Sequence, residues 1–282
     1  MTMLKSVFFL TIMSALVCSC TNADQKKEQP TETNPSASTP SSSYSMKKVE
    51  KEVMVKEDFF QITNLSSGII EFNQGPNKIW AEGDSASLSH LSFEFDGGIL
   101  TVSTPMEANN DVVGFPSSSD IRIHVSCPDL RAMAVCSGGG FVCKETLKSD
   151  QLQLGGLVGG KIEIDSIACR SFRYDSNGST ALNIGGVSCD EAVFISTGSG
   201  EINTNLTAHT NTYIDIKGTS SMNCTITTPK LEGFIETRGS ANLNIDTDTL
   251  SLDALAGTVN LSGRAGKQEI RKGKMLQLNS SL

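Results

Sequence analysis

The chain has 282 residues, a formal net charge of −8, 19% charged residues and only 6% aromatic residues. An acidic, aromatic-poor surface argues against nucleic acid and against anionic membrane faces as partners. Eight cysteines without a Cys-x-x-Cys, and three scattered histidines, give no zinc-ligand spacing, so neither a metal nor a cofactor is expected.

The chain opens with Lys5, an apolar run over Val7–Val17 and then Val17-Cys-Ser-Cys20. A run of 11 residues is too short to span a bilayer, so it reads as a secretory signal. Its end is similar to a bacterial lipobox, with Cys20 as the acceptor for lipid and Cys18 as the departure from the motif. An ordinary cleaved signal is the alternative. With Thr21 rather than an aspartate following Cys20, the expectation is lipid anchoring at the outer membrane, on either its periplasmic or its outer side. Residues 1–20 are thus the signal, and 21–57 a disordered tether too poor in large apolar residues to fold.

From residue 58 the pattern changes. Phe60–Thr63, Gly68–Phe72, Lys78–Ala81, Leu91–Phe95, Ile99–Ser103 and Ile121–Val125 alternate with period two and predict strands, with Pro105–Asp120 an exposed loop. From about Cys127 a self-similarity of 20 residues takes over. Gly138, Val158, Gly178, Gly198 and Gly218, then Gly239 and Gly257 after small slips, mark equivalent corners. Four residues past each corner stands Val142, Ile162, Leu182, Ile202, Met222, Leu243 or Leu261. Further inward pairs are Ala132 and Ala134, Leu152 and Leu154, Phe172 and Tyr174, then Ala192 and Phe194. Three short inward patches per repeat predict an all-β, single-stranded, right-handed parallel β-helix with coils of about 20 residues. Its irregular first coils occupy 58–126. The regular part occupies 127–282 and includes a cap at Lys267–Leu278. The corner glycines are expected to supply positive φ.

Registering the coils turns letters into columns. The outward positions hold Phe141 and Cys143, Lys161 and Glu163, Ala181 and Asn183, Glu201 and Asn203, Ser221 and Asn223, then Asn242 and Asn244. Glu163 and Glu201 fall two coils apart, about 10 Å, too far for a working acid–base pair. No catalytic residues are expected. The column Asn183, Asn203, Asn223 and Asn244 serves either as a coil-to-coil amide ladder or as a strip contacting sugars. Lys161, Glu163, Glu201 and Asn242 complete this candidate binding face. Cys169 and Cys189 are one period apart and stack as thiols or bond to each other; Cys136 and Cys143 flank one corner with the same two options.

Three passages carry a family resemblance: Phe59–Gly75, with its serine–glycine corner and closing Gln-Gly; Ile79–Asp84 followed by Phe95–Val102; and the Thr-Gly-Ser-Gly type corner at Ser196–Gly200. They resemble the head GIN domain family of bacterial auto-transporter adhesins, over about Phe59 to Leu278. The resemblance implies a β-helix on an exported chain with an adhesive role, and no catalytic residues. The resulting expectation is a non-enzymatic envelope lipoprotein whose partners are the membrane, through Cys20, and a glycan, host or matrix surface. A carbohydrate-binding or carbohydrate-active β-helix is one alternative. A self-associating structural protein, its coil ends stacked, is the other.

Overall fold

The computed structural model describes residues 48–104 and 121–282. The leader, Cys20, residues 21–47 of the expected tether and the Pro105–Asp120 insertion fall outside the described residues.

Strands appear where apolar and polar residues alternate. In chain order they are β1 (Val49–Val53), β2 (Gln61–Leu65), β3 (Ile69–Gln74) and β4 (Lys78–Gly83), then β5 (Ser92–Asp96), β6 (Ile99–Ser103), β7 (Arg122–Cys127) and β8 (Ala132–Val135). Five long bent strands follow: β9 (Gly140–Gly156), β10 (Lys161–Ser176), β11 (Ala181–Ser196), β12 (Glu201–Gly218) and β13 (Ser221–Ser281). The long strands pair only in parallel, each on the next. The result is a parallel β-solenoid of about 5 turns with coils of about 20 residues.

Three inward rows fill the core. One runs Ile162, Leu182, Ile202 and Met222; the next Ile167, Val187, Leu206 and Ile226; the third Tyr174, Phe194 and Ile214. Each of these residues is at most 3% exposed. Burial of one such side chain stabilises by about 1.5–3 kcal/mol, and stacking shares that gain between neighbouring windings.

The amino end of the solenoid is built differently. β2 lies parallel between β6 and β8, and β3 parallel between β7 and β9. β4, however, runs antiparallel to both β1 and β7, and β5 antiparallel to β6. β1 falls within the stretch assigned to the tether and is ordered because it pairs with β4 from Gly83 to Ile79. A single helical turn, α1 (Ser85–Ser89), closes this end with Leu88 buried. The Asp84 carboxylate accepts from the Ser87 amide at its start, and Lys51 Nζ donates to the carbonyls of Leu88 and Leu91 at its finish. Five residues are too few to show helical periodicity, which is why alternation alone gives no sign of α1. At the other end, Lys267–Leu278 continues β13: Arg264 sits over Asp246, Arg271 over Asp253 and Asn279 over Asn260.

Two register expectations need correction. Val142 faces outward, while Phe141 and Cys143 are fully buried and align with Ile162 and Ile164. Lys144 and Glu145 occupy the span that Asp165 alone fills in the next winding; this extra residue is a bulge that shifts everything before it by one. The same one-residue offset places Met133, not Ala132 or Ala134, beside Leu154. The late windings shorten, so Ala241 follows Met222 and Leu243 follows Cys224: the Asn223–Asn242 and Asn242–Asn260 bonds span 19 and 18 residues.

The corner glycines also divide. Gly138 and Gly218 take positive φ (76° and 75°). Gly178 and Gly198 do not; a Cβ on Gly198 would lie 1.9 Å from the Gly178 carbonyl oxygen one winding below. Close stacking, rather than backbone conformation, demands glycine there. Gly198→Ala is therefore expected to lower the unfolding free energy by at least about 2 kcal/mol in urea titration. Gly186→Ala, where an added Cβ meets nothing within 4 Å, should leave it unchanged.

The six cysteines of the described residues are free thiols. Burial, the largest cause in each case, pushes Cys127, Cys189 and Cys224 up to about 12. The folded chain thus disfavours thiolates that the unfolded chain forms near the ordinary value of 9.0. This contribution is complete below pH 9 and is lost as pH rises toward 12. Urea midpoints measured from pH 8 to 11 should fall above pH 9, and fall less in Cys189→Ala.

Candidate functional site

The outward row of the first face is continuous across the whole solenoid. It runs Glu52, Trp80, His124, Glu71, Val142, Glu163, Asn183, Asn203 and Asn223 by strand pairing. Hydrogen bonds then carry it through Asn242, Asn260 and Asn279. Alternation forces the row outward, because Ile162, Leu182, Ile202 and Met222 on one side of it point into the core.

Six asparagines of this row form an unbroken amide ladder. Nδ2 of Asn203 donates to Oδ1 of Asn183 (2.8 Å), Asn223 to Asn203 (3.0 Å) and Asn242 to Asn223 (2.6 Å). Asn260 donates to Asn242 (2.6 Å), and Asn279 to Asn260 (2.7 Å). Of the expected column, Asn183, Asn203 and Asn223 are in place. Asn244 is not: shortened windings put Asn242 on the ladder and Asn244 on the facing column, where Ser262 Oγ donates to it. Asn260 and Asn279 belong to the ladder but escape a fixed 20-residue count.

Between the two columns lies an open groove of about 1020 Å³. The ladder forms one wall. Asp165, Gly185, Asn205, Thr225, Asn244 and Ser262 form the other, with Asn205 Nδ2 donating to the Gly185 carbonyl at 3.0 Å. Charge is confined to one end, where Lys144 reaches Asp165 (4.0 Å) and Lys161 pairs with Glu163 (2.6 Å). Glu201 lies beside the ladder, one Oε1 accepting from both Asn203 and Asn223 at 3.2 Å. The two candidate acids, Glu163 and Glu201, are therefore each engaged with a neighbour. Asp150 and Arg170, one winding apart, form an ion pair at 2.6 Å.

The sequence treats His124 as isolated, but the structure makes it the centre of a cluster. Its ring stacks on Trp80, the chain's single tryptophan, with centroids 3.6 Å apart and planes 7° from parallel. Glu71 lies 3.4 Å from Nδ1 and Glu82 3.9 Å from Nε2, and Arg122 pairs with Glu71. The pairing of antiparallel β4 with β7 creates this cluster; no spacing in the sequence encodes it. His124 lies four strand spacings from Asn183, about 19 Å along the row. Among the described residues no group of His, Cys, Asp and Glu is placed to hold a metal ion, and no helix is long and apolar enough to cross a membrane.

The protein is thus a parallel β-solenoid with a long amide-lined groove on its first face. The sequence profile of the family described as "Putative auto-transporter adhesin, head GIN domain" matches residues 58–228, and the chain belongs to that family. Comparison with curated proteins finds no match. Among solved structures, a "putative adhesin" from Parabacteroides distasonis superposes with a TM-score of 0.71 at 14% identity, covering 84% of this chain and 98% of that one. One from Parabacteroides merdae gives 0.67 at 15%, covering 84% and 97%. One from Bacteroides fragilis gives 0.59 at 16%, covering 84% and 98%. These structures share the fold. Family and fold together support an adhesin-like, envelope-associated surface module.

The ladder is a coupled network, so its bonds are expected to fail together. Asn203→Ala and Asn223→Ala should each cost about 1 kcal/mol of stability, and a double-mutant cycle in urea should return a coupling of at least about 0.5 kcal/mol. Additive effects would mean that the amides act independently.

Proposed function

We propose that this chain is a non-enzymatic, lipid-anchored adhesion head of the outer membrane, with the asparagine groove as its ligand face. Residues 1–20 direct export, Cys20 carries the lipid, residues 21 to about 48 space the head from the bilayer, and the solenoid presents the groove. Multiple acyl chains on one residue give durable attachment without a spanning helix.

The observation that carries the reading is the unbroken ladder of six amides along an open groove. A structural use alone needs the coil-to-coil bonds, but not a concave strip whose facing wall is also polar and unobstructed. Membership in an adhesin-head family points the same way. A catalytic reading lacks support, because Glu163 and Glu201, the nearest candidate acids, are bound to Lys161 and to the ladder.

Two measurements test the proposal. Cys20→Ser should abolish incorporation of labelled palmitate and move the protein from the membrane to the soluble fraction. Cells displaying the Asn203→Leu, Asn223→Leu double variant should adhere less to their target surface than cells displaying equal amounts of the native chain. Unchanged adhesion would remove the groove from the proposal.

A further inference from the structure

We infer that the groove takes an uncharged, linear polysaccharide laid along the solenoid axis. This inference rests on the reading of the groove as the ligand face. Beyond Asn183, the polar lining is amide and hydroxyl, with the ladder on one wall and Asn205, Thr225, Asn244 and Ser262 on the other; Ile184, Cys224, Leu243 and Leu261 lie between them. Beside this stretch, Glu201 already accepts from two ladder amides, and Asp246 is paired with Arg264. Charged groups at the far end neutralise each other as Lys144–Asp165 and Lys161–Glu163 pairs. A polyanion or a polycation therefore finds no complementary field along the strip.

The hydrogen-bond inventory favours hydroxyl groups. A side-chain amide has two N–H donors and two acceptor lone pairs, and the ladder uses one of each along the column. On Asn203 and Asn223 Glu201 takes the second N–H and leaves an acceptor, whereas on Asn242 and Asn260 one donor and one acceptor remain. A sugar hydroxyl, itself both donor and acceptor, can satisfy the two together. A peptide backbone also carries a donor and an acceptor, so spacing decides between the two.

Spacing separates sugars from peptides. The rungs repeat about every 4.8 Å along the axis, whereas an extended peptide repeats the side chains of one face about every 6.7 Å and falls out of step within three rungs. A polymer of sugar rings linked across the ring advances by about one ring per unit, close to one rung. The ladder spans five intervals, about 24 Å, so several consecutive rings are engaged at once. Among the described residues no aromatic side chain lines the groove, so none of them grips a single ring by stacking. Long chains should accordingly bind and short oligomers should not, because affinity accumulates over rungs.

Affinity electrophoresis of the full-length protein in detergent tests this directly. The gels carry neutral linear glucans and mannans, the charged polymers galacturonan and hyaluronan, or gelatin. The expected result is retardation by at least one neutral polymer, growing with chain length. It should weaken about tenfold in the Asn203→Leu, Asn223→Leu variant, the loss of roughly one hydrogen bond per amide. Asn244→Leu, which alters the facing wall and leaves the ladder intact, should weaken it as well. Tyr213→Ala, on the third face, should not, and urea midpoints confirm that each variant is folded.

Retardation only by a charged polymer or by gelatin overturns the inference, as does no retardation at all. Adhesion that is lost in the double variant yet is not competed by neutral polysaccharide overturns it while leaving the groove reading intact. Adhesion that is unaffected by the double variant defeats that underlying reading instead.

Discussion

Backbone hydrogen bonding between successive windings is the constraint on which every other feature depends. Each long strand pairs in parallel with the strands before and after it, so residues at one register position lie about 4.8 Å apart in a column. Columns make like groups neighbours. Ile162, Leu182 and Ile202 become one apolar wall, and Asn183, Asn203 and Asn223 one amide strip. The same tight spacing brings the Gly178 carbonyl against Gly198, where any side chain would collide.

The regular half of the fold is readable because a 20-residue count lands on the correct column from β10 to β12. Where the count slips, the size of the slip decides what is lost. A slip of one residue, as at the Lys144–Glu145 bulge, turns a residue from one face to the other; Val142 and Phe141 exchange roles for that reason. An offset of two, as between the expected Leu243 and the Ala241 that follows Met222, keeps the inward direction but changes the column, so Leu243 and Leu261 are buried as expected in a different row. Burial is therefore more legible than alignment. The antiparallel amino end leaves no periodic trace, since its strands alternate just as the parallel ones do.

The candidate site follows the same division. Asn183, Asn203 and Asn223 lie where windings have constant length, and their ladder is legible. Asn242, Asn260 and Asn279 sit in windings of 18 or 19 residues, and only the geometry joins them. The Trp80–His124 stack is a product of a strand that returns in the opposite direction, bringing together residues 44 positions apart in the chain. Glu201 is named by the sequence as a binding residue, but its role as a shared acceptor for two amides is a matter of side-chain reach.

Every bond of the ladder runs the same way, from Nδ2 of the later asparagine to Oδ1 of the earlier one. Aligned amide dipoles reinforce rather than cancel. The strip thus has a sense as well as a length, its unbonded Nδ2 at Asn183 and its unbonded Oδ1 at Asn279 marking unlike poles. A molecule whose two termini differ would meet unequal surroundings in its two possible orientations, so the wall can sort heading as well as composition.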